Sequence, residues 1–248
     1  MKIASQASAD LRRAADLARE LGPGDARLPE TLLRLAEVYR GENKSAEALA
    51  ACRESLRLRQ QLNGADALET AEALRALAQL CAEQGQFEEA ETHCRRVLEI
   101  LRKKLMADDP LVARAMSELG SLSLARKNYP EGEDLCRQAL AIQERVLPPE
   151  HPDHLNTLTN LNDALYLQQK WTELEQENQR AREVFTKALG PEHLRVALLW
   201  RQFSAVRRAQ KRPADGEAAL RKALEIQEKA LGKAHPELGP TLLAMGQA

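Results

Sequence analysis

The sequence predicts an all-α protein, a right-handed α-solenoid of stacked helix-turn-helix units, and three observations carry that expectation. Aromatic residues make up 3% of the 248 residues, while Leu and Ala dominate beside Glu, Arg, Gln and Lys, a mixture that favours helix and leaves β-strands little to build with. Apolar residues recur at helical spacing. The chain also repeats itself: "ALEIQEKALGKAHPEL" (Ala223–Leu238) has a near twin in "ALAIQERVLPPEHPDHL" (Ala139–Leu155), two periods of 42 residues earlier.

The period sets the elements. One column runs Leu32, Leu74, Met116, Leu158, Trp200, Leu242, and a second, three residues on, runs Leu35, Leu77, Leu119, Leu161, Phe203, Met245. Three-residue spacing puts both columns on one helix face. The next residue is mostly small, from Ala36 and Ala78 to Gly120, Asn162, Ser204 and Gly246, which lets a neighbouring helix come close. A further apolar column, Leu58, Ile100, Ile142, Val184, Ile226, marks the second helix of each unit.

Each unit therefore reads as helix, short turn, longer helix, loop. First helices are expected over 29–41, 71–83, 113–126, 154–168, 196–210 and 238–247, second helices over 45–62, 87–105, 129–147, 171–189 and 213–231. "EQGQF", "ARKNY" and "QKRPAD" break the paired helices, and "LPPEHP", "LGPEH" and "LGKAHP" separate units with Gly and Pro. The expected organisation is one domain over 1–248: an N-terminal half unit over 1–24, repeats over about 28–69, 70–111, 112–153, 154–195 and 196–237, and a capping or truncated helix over 238–248. Half units at both ends fit either caps or a piece of a longer protein.

Within a unit, "TAEALRALAQLCAEQGQFEEAETHCRRVLEI" (Thr70–Ile100) resembles the tetratricopeptide repeat: Leu74, then Leu77 with Ala78, Gly-Gln-Phe at the turn, then Ala90 and Val97. The 42-residue length and the repeated "ALEIQEKALGKAHPEL" phrase are similar to kinesin light chain repeats. The resemblance covers about 28–248 and implies a scaffold that binds a protein or peptide along the groove lined by the first helices. One unit departs from the pattern. Leu174, Asn178 and Arg182 stand where its neighbours carry Ala90 or Gly132, Cys94 or Cys136, and Leu98 or Leu140, which predicts a looser local interface and requires a partner for Arg182.

Composition excludes several classes. With 36 basic and 37 acidic side chains, no global field draws the chain to nucleic acid or an anionic membrane. No apolar stretch is long enough for a signal peptide core or a membrane span, so the cytoplasm is the expected compartment. Cys52, Cys94 and Cys136 share a column on successive second helices, too far apart for a disulfide or a shared metal, and read as small core residues. Cys81 could approach Cys94 within its hairpin. His151, His193 and His235 share a loop column just before a helix, which suggests a repeated role in closing the turn. His151 and His154 with Asp153 resemble a metal cluster only superficially, and His93 beside Cys94 is no stronger. Neither metal nor other cofactor is expected. No catalytic or phosphate-binding motif is present, and no catalytic residue is assigned.

By the resemblance, groove-facing positions include Arg114, Ser117 and Ser121, then Asn156, Thr159, Asp163 and Tyr166, then Leu198, Arg201, Ala205 and Arg208. The column that carries a backbone-clamping asparagine ladder in many such grooves is here Arg34, Ala76, Glu118, Asn160, Gln202, so only Asn160 remains, and side-chain recognition is expected to dominate. From His193 to Ala214 there is no Asp or Glu, while Arg195, Arg201, Arg207, Arg208, Lys211 and Arg212 all occur. Arg201 and Arg208, seven apart, lie close to one line along a helix, and Arg212 would continue it. This basic stripe is either a solvated face neutralised by neighbouring glutamates or the anchor for an acidic or phosphorylated partner segment. The expected function is a non-enzymatic interaction scaffold. Alternatives are a regulatory or targeting module of a larger enzyme, defence or signalling protein, and nucleic-acid binding through 195–212, which the scarcity of interleaved aromatics disfavours.

Overall fold

A computed structural model describes residues 2–20 and 25–246, with side chains described for 9–18, 20 and 25–246. Part of the expected N-terminal half unit, residues 21–24, and the last two residues lie outside the described residues. The chain divides into two compact units, Met1–Arg126 and Lys127–Ala248. The first holds α1 (Lys2–Glu20), α2 (Arg27–Gly41), α3 (Ser45–Asn63), α4 (Leu68–Glu83), α5 (Phe87–Lys104) and α6 (Pro110–Ala125). The second holds α7 (Tyr129–Val146), α8 (Pro152–Leu167), α9 (Trp171–Leu189), α10 (Leu194–Ala209), α11 (Pro213–Leu231), a 3-10 turn (Pro236–Leu238) and α12 (Gly239–Gly246). No strand occurs among the described residues, and within each unit every helix packs on the next in sequence. No described helix is long and apolar enough to cross a membrane.

The first helices α2, α4, α6, α8 and α10 start two or three residues before their expected positions, and α6, α8 and α10 begin on a side-chain cap. At four positions 42 residues apart, Asp109, His151, His193 and His235, a side chain accepts a hydrogen bond from the backbone N–H two residues on, at 2.8, 3.2, 3.1 and 3.3 Å. Each satisfies one of the orphan donors of a helix start. The three histidines therefore close turns, as their shared loop column suggests. In each the Nδ1 atom is the acceptor.

Turn chemistry repeats with the same period. Asn43, Gly85, Lys127, Gln169 and Lys211 all adopt left-handed backbone at φ 56–74°, closing the turn inside each hairpin. Between hairpins, Gly64, Gly190 and Gly232 take φ 87–93° directly after α3, α9 and α11. Where the chain offers Met106 or Pro148 at that column, α5 and α7 stop one residue sooner, at Lys104 and Val146, and Leu105 and Leu147 run extended. A side chain cannot enter that backbone region without strain.

The columns form the core. Leu32, Leu35, Leu74, Leu77, Met116, Leu119, Leu158 and Leu161 are all buried, as are the small Ala36, Ala78, Asn162 and Ser204. Toward α12 the pattern loosens: Trp200 and Phe203 are only partly buried, and Leu242 is 49% exposed. Core thiols are held protonated, burial pushing Cys52, Cys94 and Cys136 up to about 12.

The divergent unit shows how the fold absorbs its irregular residues. Leu174 is fully buried where other second helices carry Ala or Gly, and α9 lies in sparser contact with α8 than α5 does with α4. Trp171 and Tyr166 meet edge to face at 5.9 Å between ring centroids in this hairpin. Arg182 finds its partners in two rings, its guanidinium lying 4.1 Å from the Trp200 centroid and 4.4 Å from that of Phe203. By contrast, Gly216 brings α11 so close to α10 that a Cβ there would meet Ser204 O at 3.0 Å.

Leu77 is 2% exposed in the middle of the first unit. Leu77→Ala should cost about 2–5 kcal/mol, measurable as a lower urea midpoint with loss of helical signal; a change under about 1 kcal/mol would contradict the column as the source of stability.

Candidate functional site

Several residues expected to face a partner converge in the second unit. An open cleft with a cavity volume of ≈ 370 Å³ is lined on α8 by Asp163 and Tyr166, on α10 by Leu198, Arg201, Ala205 and Arg208 among others, and on α12 by Pro240, Leu243 and Ala244. The lining follows from register. Leu198, Arg201, Ala205 and Arg208 recur at three- and four-residue spacing and so present one face of α10. Stepping Leu198 and Arg201 forward by 42 gives Pro240 and Leu243, so the contribution of α12 follows from the same period.

The electrostatics of the cleft are uneven. Arg207, on a neighbouring face of α10, pairs with Glu175 at 2.7 Å. Arg212 pairs with Asp215 at 2.5 Å, and since α10 ends at Ala209 it stands at the position before α11 instead of extending the stripe. Arg195 donates to Asn156 Oδ1 at 2.7 Å. Among the described residues neither Arg201 nor Arg208 has a carboxylate within ion-pair distance. Part of the basic stripe is thus neutralised and part faces the cleft. The stem of Arg208 lies over Gly216, where an added Cβ would stand 3.2 Å from its Cγ.

Beneath the arginines runs a buried polar relay. Gln202, in the column of the asparagine ladder, donates from Nε2 to Asp163 Oδ1 at 2.5 Å, and Asn178 donates from Nδ2 to Leu199 O at 3.0 Å and toward Gln202 Oε1 at 3.4 Å. Gln202 and Asn178 are buried. Burial raises the Asp163 carboxyl to about 6, against the opposing pull of the Gln202 bond and the Arg201 charge. Asn178 therefore serves this network, at a position where Cys52, Cys94 and Cys136 stand in other units.

The other expected partner residues lie elsewhere. On α8, Asn156 is engaged by Arg195, Thr159 donates to Leu155 O at 2.9 Å, and Asn160 is partly buried. In the first unit, on α6, Ser117 is buried, Arg114 is partly buried and Ser121 is exposed.

Comparison with known proteins agrees with this architecture. The tetratricopeptide repeat family matches residues 27–103, 112–153 and 204–237, together more than half of the chain. The chain belongs to the tetratricopeptide repeat family. Among solved structures, a kinesin light chain-like protein of Podosopora anserina with nearly identical repeats superposes with a TM-score of 0.72 at 21% identity, covering 84% of this chain and 97% of that one. BtubC (BKLC) from P. vanneervenii gives 0.78 at 20% identity, with 94% of each chain covered. MamA from Desulfovibrio magneticus RS-1 gives 0.61 at 14% identity, covering 81% of this chain and 96% of that one. No curated protein matches. At these identities the likeness is one of fold, an all-α solenoid of helical hairpins, and tetratricopeptide repeat proteins are typically non-enzymatic scaffolds for protein or peptide interaction.

The Asp163 carboxyl gives this tetratricopeptide repeat a pH signature. Its folded-state pKa lies above the ordinary 3.8, so the folded chain holds that proton more tightly than the unfolded one. The resulting stability is complete below about pH 4 and is lost as pH rises through about 6. Wild type should therefore lose up to about 3 kcal/mol relative to Asp163→Asn on going from about pH 4 to about pH 7. Denaturant titrations of both proteins at the two pH values measure this, and a pH-independent difference would contradict a carboxyl held out of water.

Proposed function

We propose that the chain is a non-enzymatic interaction scaffold whose cleft between α8, α10 and α12 receives the acidic or phosphorylated segment of a peptide or protein partner. The observation that carries this reading is the pair Arg201 and Arg208, both lining the cleft while their neighbours Arg207 and Arg212 are spent on carboxylates. A guanidinium presents a planar fork that fits a carboxylate or phosphate bidentately. Leu198, Ala205 and Leu243 add apolar wall for a side chain flanking the acid.

Asp163 sets where the acid sits. Its carboxylate already lies in the field of Arg201, so a second anion is placed toward Arg208, and like-charge repulsion disfavours a ligand that presents acid along the whole cleft. Because the lining sits on packed helices, little ordering entropy is lost on binding. A nucleic-acid reading has less support: the faces of Trp200 and Phe203 are taken by Arg182, Arg207 and Lys222 at 4.1–4.5 Å, which leaves them unavailable for base stacking.

Fluorescence anisotropy with labelled peptides of matched length, acidic, phosphorylated and basic, tests the proposal. Acidic or phosphorylated peptides should bind wild type in a salt-dependent manner, and Arg201→Glu/Arg208→Glu, verified as folded, should weaken them at least tenfold, the loss of about one charge-assisted hydrogen bond. Equal binding of the basic peptide, or unchanged affinity in the double variant, would overturn it.

A further inference from the structure

A second constellation stands in the first unit, apart from the cleft. Cys81 lies in the last turn of α4, and Glu89 and His93 lie four residues apart on α5, so they share a face. The hairpin turn folds that face onto the end of α4. One ligand atom from each residue, thiol sulfur, carboxylate oxygen and imidazole nitrogen, falls within 4.8 Å of the other two. His93 Nε2 stands 3.6 Å from Glu89 Oε1.

We propose that Cys81 Sγ, a Glu89 carboxylate oxygen and His93 Nε2 form a site for one thiophilic divalent transition-metal ion of the zinc class. Ligand bonds of about 2.3 Å to sulfur and 2.0–2.2 Å to nitrogen and oxygen, in a tetrahedron, set the ligand atoms roughly 3.3–3.6 Å apart. The nitrogen–oxygen separation is already close to that value. The other separations need to shorten by little more than an ångström, which torsions of the partly exposed Glu89 and His93 side chains can supply. A fourth position is left for water.

The state of His93 supports the assignment independently. Its Nε2 is shielded from solvent, and the Glu89 carboxylate oxygen that faces it stands at 3.6 Å, longer than a hydrogen bond, whereas the three cap histidines of the second unit use their acceptor nitrogens on backbone N–H groups. A buried polar atom left unpaired costs about 1–3 kcal/mol, and a metal ion would take up that lone pair. Cys81 is fully buried and not in a disulfide, so the sulfur forms the floor of the site, while the Glu89 side chain, 40% exposed, forms its rim and gives an ion a way in.

Charge and softness point to the zinc class. On binding, the Cys81 thiol releases its proton to solvent as the metal–sulfur bond forms, so that thiolate and carboxylate offset the dication, the imidazole binds neutral and the exposed Arg53 leaves one net positive charge for solvent to screen. Thiolate and imidazole ligation selects against magnesium and calcium, which prefer all-oxygen sites. Arg53, from α3, donates to Glu89 Oε1 at 3.1 Å and would orient the carboxylate as an outer partner. An ion held this way ties the first two turns of α5 to the end of α4 and reinforces that hairpin.

Tag-free, chelator-treated full chain titrated with Co²⁺ is the test. Wild type should develop a thiolate-to-cobalt charge-transfer band and intense visible bands of a tetrahedral ion, saturating at one equivalent and displaced by Zn²⁺, and Zn²⁺ should raise its Tm. Cys81→Ser should lose the charge-transfer band. His93→Gln, at a partly exposed position that can change without emptying the core, should keep its helical circular dichroism and bind Co²⁺ more weakly by at least the roughly 10- to 100-fold that loss of an outer partner costs. Absence of the charge-transfer band in wild type, or a folded His93→Gln with unchanged affinity and spectrum, would overturn the site.

Discussion

No single helical hairpin of this chain can bury its own apolar stripe, and the rest of the structure depends on that constraint. Each helix within a unit must be covered by the next, so the large columns around Leu35, Leu77 and Leu161 stay apolar while the adjoining column stays small enough for the covering helix to approach. Neighbours must also arrive at a repeatable angle. The left-handed residue inside every hairpin, and the Asp or His cap that opens four of the first helices, secure this locally through turn geometry and orphan N–H groups.

Departures from the repeat coincide with the chemistry of the second unit. Leu174 enlarges a position that elsewhere holds Ala or Gly, and Asn178 puts an amide where neighbours bury a thiol or aliphatic group. The amide is tolerable because Gln202 and Leu199 O satisfy part of it, and that relay holds Asp163 at the floor of the cleft. Arg182 is likewise retained by ring faces in place of a carboxylate. The cleft itself is lined from α8, α10 and α12, and of these three residues Asn178 reaches it through Gln202.

The repeating frame also places unlike chemistry at like positions. Arg53 reaches Glu89 from the preceding second helix, and Arg137 reaches Glu173 in the same relative arrangement, at 3.1 and 2.6 Å. Pairs so exposed contribute little stability. Around Glu89, however, the turn adds a buried thiol and an imidazole, so a surface contact in one repeat becomes part of a proposed ligand set in another.

By itself the sequence determined the helices, their order and their buried faces, because a 42-residue period written in Leu, Ala and turn residues reports local conformation and burial directly. It also identified Arg201 and Arg208 as one face and the loop histidines as turn elements. Helix ends were misjudged by a few residues, since caps and Gly backbone are decided by single hydrogen bonds and φ angles. Only the tertiary structure decided which arginines are paired, because Glu175 and Asp215 reach Arg207 and Arg212 through rotamers that no spacing rule records. It also decided that Glu89 and His93 bring their ligand atoms within 4.8 Å of Cys81, because the direction of each side chain on α5, and not only its distance along the chain, selects what faces α4.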